Sequence, residues 1–342
     1  FTRLLGDFVA ALRVLFRFFL MGFFIAALAL GFGIWWIGQP LTTITQAQDL
    51  VVDSGNSAPT IAGKIAPNTV DATLLGIWFR VSGLSRQIKA GNYELEVGIT
   101  PSRILDKLVK GEQALRSITF VEGWTFAQIR QALDKQPNLR HETQGKTPAE
   151  VMAKLGQPNL HPEGRFFPDT YRYAKNSSDT SVLQTAMNAM NKQLEEAWKN
   201  RMEPNPLRSP DELLILASIV EKETGRESDR TMVASVFHNR LRVGMRLQTD
   251  PTVIYGLGSA FNGNLRKVDL LTDTPYNTYT RAGLPPSPIA MPSKAALWAA
   301  ARPASSPALY FVAKGDGTGS SYFSQTLEEH NRAVNQYIRK IP

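Results

Sequence analysis

The chain has no cysteine among its 342 residues. That excludes disulfide staples, thiolate metal sites and a cysteine nucleophile. Histidine is scarce. His141, His161, His238 and His330 are scattered, with no ligand spacing such as His-x-x-x-His, so neither a structural metal nor a cofactor is expected. The glycine-rich segment Gly-Asp-Gly-Thr-Gly (315–319) is not followed by Gly-Lys-Thr/Ser, which argues for a hairpin turn rather than a phosphate loop. Charge is missing from Phe18 until Asp49.

That charge-free stretch begins with an apolar run over residues 18–38. A helix of about 20 apolar residues spans a bilayer core. Arg3, Arg13 and Arg17 precede it, while Asp49 and Asp53 follow. The positive-inside rule then places residues 1–17 in the cytoplasm and the bulk of the chain outside. Trp35 and Trp36 fall at the outer interface. A cleaved signal peptide is the rival reading, but the run is long for one and its tryptophans make a poor cleavage site. A buried core helix is disfavoured because the run has no polar face.

The remainder is compositionally globular, with 43% hydrophobic and 20% charged residues, which suits two or three domains. The net charge of +8 suits nucleic acid, anionic lipid or another acidic polymer. Residues 39–59 are small and polar and read as a linker. A helix is expected near 70–81. A threefold echo follows. Gly98, Thr100, Ile104 and Leu108 recur as Gly123, Thr125, Ile129 and Leu133, then as Gly145, Thr147, Val151 and Leu155. The first two copies follow strand-like segments (93–97 and 117–121). Each copy reads as a glycine turn, a threonine cap and an amphipathic helix, the parts of a small α+β module.

The stretch 157–173 is rich in aromatics and proline and carries Glu163 and Asp169. It reads either as a groove wall, where aromatics stack on sugar rings, or as a packed connector. Helices are expected over 181–201, 228–243 and 328–338, with a strand at 309–313 before the hairpin turn. Asp250 followed by Pro251 reads as an N-cap and first-turn pair, with Gln248 in the turn before it.

The centre of the chain is residues 209–225 (Ser-Pro-Asp-Glu-Leu-Leu-Ile-Leu-Ala-Ser-Ile-Val-Glu-Lys-Glu-Thr-Gly). Ser209 is an N-cap, Pro210 fits the first helical position, Glu212 closes a capping box and Gly225 ends the helix. Leu213, Leu216, Ala217 and Val220 form a stripe toward a core. Glu221 and Glu223 flank the end of that stripe on opposite sides. A carboxyl at the edge of a buried stripe is desolvated, which raises its pKa and suits a general acid. Glu-Lys-Glu at a helix end is also a common solvated face, and wheel geometry does not choose between the two glutamates.

The motifs together resemble one family. They are Val-Glu-Gly-Trp-Thr (121–125), Glu-Gly-Arg-Phe-Phe-Pro-Asp-Thr-Tyr (163–171), Ala-Ser-Ile-Val-Glu-Lys-Glu-Thr (217–224), Ser-Val-Phe-His-Asn-Arg-Leu (235–241), Met-Arg-Leu-Gln-Thr-Asp-Pro-Thr-Val-Ile-Tyr-Gly (245–256), Tyr-Asn-Thr-Tyr (276–279) and Gly-Leu-Pro-Pro (283–286). The chain resembles, from about residue 90 onward, the YceG-like family of endolytic murein transglycosylases, the MltG type. The resemblance implies an α+β protein with one N-terminal transmembrane helix (18–38), a LysM-like module (60–115) and a mainly helical lysozyme-like catalytic domain (116–342). It implies an enzyme of the cytoplasmic membrane facing outward, cleaving the bond from N-acetylmuramic acid to N-acetylglucosamine inside glycan strands. It implies peptidoglycan synthases as partners.

Lytic transglycosylases use one carboxyl group, which protonates the glycosidic oxygen and then deprotonates the muramic 6-hydroxyl. By comparison with the helix-terminal Glu-Ser of soluble lytic transglycosylases, Glu223-Thr224 supplies that acid, with Glu221 as runner-up. The same comparison implies Gln248, Asn277 and Tyr279 as substrate contacts, with Glu163 a weaker candidate for the groove. Glu221 can instead pair with Arg226, Arg240 or another cation. A membrane-tethered peptidoglycan-binding scaffold without activity is the alternative, and it would need no acid at a helix end. Nucleic-acid binding rests on charge alone and conflicts with an outward-facing bulk.

Overall fold

A computed structural model describes residues 2–223 and 226–339. The fold is mixed helix and sheet, and the chain divides into two units, residues 1–116 and 117–342. Each is described by itself.

The first unit opens with α1 (Thr2–Ile37), whose segment Leu15–Ile37 is long and apolar enough to cross a membrane. None of that segment is buried by protein. Then follow β1 (Gln48–Val52), α2 (Ala58–Ile65), α3 (Val70–Val81), β2 (Gly91–Leu95) and α4 (Pro101–Lys110). β1 and β2 pair antiparallel, with Leu50 opposite Tyr93. Residues 39–59, polar enough to read as a linker, are therefore not a bare tether. Leu41, Ile44, Leu50 and Val52 join Phe79, Tyr93, Ile104 and Leu108 in one core, and Trp36 at the end of α1 packs against it. Four well-spaced apolar side chains recover enough apolar burial to fold a stretch whose average composition is polar.

The second unit contains β3 (Leu115–Thr119), which begins in the first, then α5 (Phe126–Asp134), β4 (Leu139–Arg140), α6 (Pro148–Lys154), β5 (Thr170–Ala174), β6 (Ser177–Ser178), α7 (Asp179–Lys199), α8 (Pro210–Glu223), α9 (Glu227–Arg242), α10 (Asp250–Leu257), α11 (Lys267–Leu271), α12 (Lys294–Ala301), β7 (Tyr310–Ala313), β8 (Ser321–Ser324) and α13 (Leu327–Val334). The strands pair only two by two. The glycine-rich segment is the turn of the antiparallel β7–β8 hairpin, as its sequence suggests.

The threefold echo is a real repeat of caps. The Thr100, Thr125 and Thr147 hydroxyls accept from the Arg103, Gln128 and Glu150 amides at the starts of α4, α5 and α6. Each such cap is worth about 1 kcal/mol. Gly98, Gly123 and Gly145 all have positive φ, between 72° and 82°, which turns the chain into each cap.

α8 is the axis of the second unit. All eight residues from Leu213 to Val220 are buried, so the helix is covered all round and not along one stripe. α7, α9 and α12 pack on it, and α10 touches it too. Ser218, the one polar residue in that run, donates to the Ile215 carbonyl and accepts from the Ile289 amide. At the N-terminus Ser209 accepts from the Glu212 amide, as expected of a cap. The Glu212 carboxylate reaches the Arg208 amide at 2.6 Å, one residue before the position a capping box would use. Thr224 and Gly225, the expected helix end, lie outside the described residues.

Candidate active site

α8 delivers Glu221 and Glu223 on opposite sides, and their partners differ in kind. Glu221 Oε2 accepts from Ser293 twice, from the amide at 2.9 Å and from the hydroxyl at 2.5 Å. Ser293 is the N-cap of α12, so Glu221 ties α8 to the start of a neighbouring helix. The other carboxylate close to it is Glu122, whose carboxyl is raised by burial and then by the negative charge of Glu221.

Glu223 is partly buried and accepts a hydrogen bond from the Thr249 hydroxyl. Burial holds its carboxyl above the ordinary range. The Thr249 bond and the Arg240 charge pull it down, and Asp250 pushes it up. Arg240 does not pair with Glu221 in the way the sequence allows. Its Nε donates to the Leu309 carbonyl at 2.7 Å and an Nη to the Leu247 carbonyl at 2.5 Å, two bonds that fix a cation near Glu223. Arg226 reaches the hairpin turn, donating to the Thr318 carbonyl and hydroxyl at 3.3 Å.

The loop before α10 brings the next residues in. Gln248 is exposed and sits at φ 48°, a left-handed conformation uncommon outside glycine. Its amide donates to the Thr278 carbonyl, and the Thr249 amide donates to the Thr278 hydroxyl. The loop 276–280 is thereby stitched to the segment 248–249. Asp250 is not the N-cap that Asp-Pro suggests. Thr249 holds the cap position, Asp250 is the first helical residue, and its carboxylate accepts from the Tyr279 hydroxyl at 2.5 Å. Burial raises the Tyr279 phenol, and the bond to Asp250 raises it further, so Tyr279 stays a hydrogen-bond donor at neutral pH.

Gln248 and Tyr279 line one cavity of about 460 Å³ with Arg246, Lys267, Leu270 and Leu271. Glu223 is not among the lining residues. Thr249 joins it to this wall.

Asn277 departs from expectation. The resemblance implies that it contacts substrate, yet it is only 1% exposed. Its Nδ2 donates to the carbonyls of Asp269, Leu270 and Thr272, and its Oδ1 accepts from the Tyr279 amide at 2.9 Å. The side chain ties its own loop to the end of α11 and positions Tyr279.

Glu163 also differs. It is 4% exposed and lies on a separate cavity of about 670 Å³, lined by Phe126, Gln128, Arg130, His161 and Tyr255 among others. It accepts from the Phe126 amide at the start of α5 and from the Tyr255 hydroxyl. Burial pushes its carboxyl up to about 7, against these bonds, which favour the charged form. The folded protein therefore holds this proton more tightly than the unfolded chain. Stability contributed by this group is full below the ordinary value of 4.5 and is lost as pH rises to about 7. The loss is about 3 kcal/mol. Glu163→Gln should remove that slope. Thermal melts in detergent at pH 5 and pH 8 check it, and an equal pH dependence in the variant would count against the burial argument.

Thr249 and Ser293 were not legible as site residues. Thr249 follows Gln248 in a recognisable motif, but its bond crosses 26 positions to Glu223, and Ser293 crosses 72 to Glu221. Among the described residues no cluster of three His, Cys, Asp or Glu side chains is placed to hold a metal ion.

Comparison with known proteins adds independent information. Residues 50–336 match the model of the YceG-like family. An endolytic murein transglycosylase of Bacillus subtilis is 36% identical over 309 residues, covering 84% of each chain. An endolytic murein transglycosylase of Streptococcus pneumoniae is 32% identical over 286 residues, which is 73% of this chain and 51% of that longer protein. A crystal structure of a yceG-like protein from Listeria monocytogenes superposes with a TM-score of 0.53 at 30% identity, covering 84% of this chain and 99% of that one.

Proposed function

Because this chain belongs to the YceG-like family, we propose that it cleaves peptidoglycan glycan strands internally, with Glu223 as the single acid and base. It is a lytic transglycosylase, a lyase acting on peptidoglycan. The observation that supports the acid is the contrast between the two glutamates. Glu221 is committed to the N-cap of α12, whereas Glu223, among the described residues, accepts from the Thr249 hydroxyl and has a burial-raised carboxyl beside the wall formed by Gln248 and Tyr279.

The reaction needs both protonation states of one group. Burial raises the Glu223 carboxyl and so favours the protonated form that transfers its proton to the glycosidic oxygen as the bond from the muramic anomeric carbon breaks. The resulting carboxylate then accepts the proton of the muramic 6-hydroxyl, whose oxygen closes on the anomeric carbon. The Thr249 hydroxyl and the fixed Arg240 charge favour that ionised form. Proton uptake and release balance, and no water is consumed. The second carboxylate of ordinary glycosidases is therefore unnecessary. Gln248 and Tyr279 hold sugar at the wall, with Asp250 orienting the Tyr279 hydroxyl.

In this reading α1 anchors the enzyme in the cytoplasmic membrane with residues 1–17 inside. Residues 60–115 act as a LysM-like module, and cleavage of nascent strands terminates their elongation beside the synthases. Mass spectrometry of glycan released from polymeric peptidoglycan tests the chemistry. Products ending in 1,6-anhydro-muramic acid, lighter by one water than hydrolysis products, are expected. Reducing ends would mean a hydrolase and a second carboxylate. Intact glycan that nevertheless binds the protein would mean a scaffold.

A further inference from the structure

α3 has an apolar face that the first unit does not cover. Val70, Ile77 and Val81 are 75%, 52% and 76% exposed, while Leu75 and Phe79 on the other side are fully buried in the core. Exposed aliphatics at positions 70, 77 and 81, with Leu74 and Trp78 between them, form one stripe at helical spacing. On a soluble surface that stripe would be an unsolved problem, because contiguous apolar patches of this kind mark contact sites.

The stripe does not face open solvent alone. Leu74, Ile77, Trp78 and Val81 share one cavity of about 630 Å³ with α1 residues between Ala26 and Ile37. Those twelve α1 positions rise about 18 Å, roughly the second half of a 30 Å hydrocarbon core. α1 does not swing freely from the unit, since Trp36 packs against the same core as Phe79. The apolar face of α3 is thus continuous with the lipid-facing surface of the anchor. Trp78 lines the shared cavity, and its indole N–H has no hydrogen-bond partner among the described residues. That N–H is itself buried, so Trp78 contributes apolar ring surface to the shared face and no exposed donor. Arg80 and Arg86, at and just after the end of α3, are exposed and carry no ion pair among the described residues. Cations flanking an apolar face match anionic headgroups.

We propose that α3 lies in the bilayer interface beside α1, as a second, monotopic membrane contact that seats the first unit on the lipid surface. The proposal rests on the reading of α1 as a membrane anchor. An interfacial helix buries its apolar face by about 5–10 Å. The unit is then held at two points and does not tumble on one.

The absence of cysteine makes the test clean, since any introduced thiol is the only label site. The full chain is reconstituted in vesicles of phosphatidylethanolamine and phosphatidylglycerol. Nitroxides are placed singly at Leu28→Cys in α1, Ile77→Cys and Val81→Cys in α3, and Ser102→Cys on the exposed side of α4. Collision with oxygen, which partitions into lipid, is compared with collision with a water-soluble nickel chelate. Oxygen should dominate at Leu28, Ile77 and Val81, with the ratio inverted at Ser102. Nickel dominance at Ile77 and Val81, with Leu28 still in lipid, would overturn the proposal and leave the anchor standing. Protection of Ile77 and Val81 from both reagents would also overturn it, since protein and not lipid would then cover the face. Nickel dominance at Leu28 would remove the anchor reading itself, and the proposal with it.

Discussion

Glu223→Gln is expected to lower glycan cleavage by about 10³-fold, the scale of a lost general acid and base. Folding should be unaffected, because glutamine keeps an acceptor for the Thr249 hydroxyl. Glu221→Gln should retain most activity, because its amide oxygen still accepts both bonds from Ser293. Glu221→Ala should instead lower the melting temperature, since the Ser293 amide and hydroxyl lose their partner, at about 1–2 kcal/mol. The pH profile supplies a second readout. Activity requires the protonated acid, so it falls as pH rises through the raised carboxyl pKa of Glu223. Thr249→Val removes a bond that favours the charged form, so the alkaline limb should move to higher pH. Release of anhydro-ended fragments, followed by mass spectrometry across the pH range, measures both effects. Full activity in Glu223→Gln with none in Glu221→Gln would transfer the acid role by two residues.

Asn277→Ala should destabilise the second unit by about 3 kcal/mol, because three carbonyls and the Tyr279 amide lose a buried partner together. Cleavage should fall with it, through a displaced Tyr279. Asn277→Asp is nearly the same shape but should be no milder, since it replaces donors by a charge facing three carbonyl oxygens. The comparison separates two roles. A positioning residue loses melting temperature and activity together. A variant that melts like the parent yet fails to bind glycan would restore the direct substrate contact implied by resemblance.

Local signals in this sequence translated well. Thr100, Thr125 and Thr147 are all caps because a hydroxyl before a helix satisfies an amide only three residues away. α3 (Val70–Val81) falls where a helix is expected near 70–81. What was hidden lies at long range. β1 looked like linker because each of its residues is judged by average polarity, while its partners in β2 lie 39 to 47 positions on. Asp250 looked like a cap because Asp-Pro usually starts a helix. Tyr279, 29 positions away, takes its carboxylate instead. Glu221 and Glu223 are symmetric on a helical wheel, and only Ser293 and Thr249 break that symmetry. Asn277 sits in a motif that carries the family resemblance, but motif membership does not distinguish a side chain that would touch sugar from one that holds its neighbour.

The left-handed backbone at Gln248 carries a consequence for how this enzyme can change. Glycine would occupy that conformation without the penalty of roughly 1 kcal/mol that a side chain brings. The chain keeps glutamine there, on an exposed turn where no packing demands it. If Gln248 holds sugar as proposed, durability and turnover oppose each other at position 248: glycine would relieve the backbone and remove the side-chain amide from the cavity wall. On that proposed role, Gln248→Gly should raise thermal tolerance and lower cleavage together.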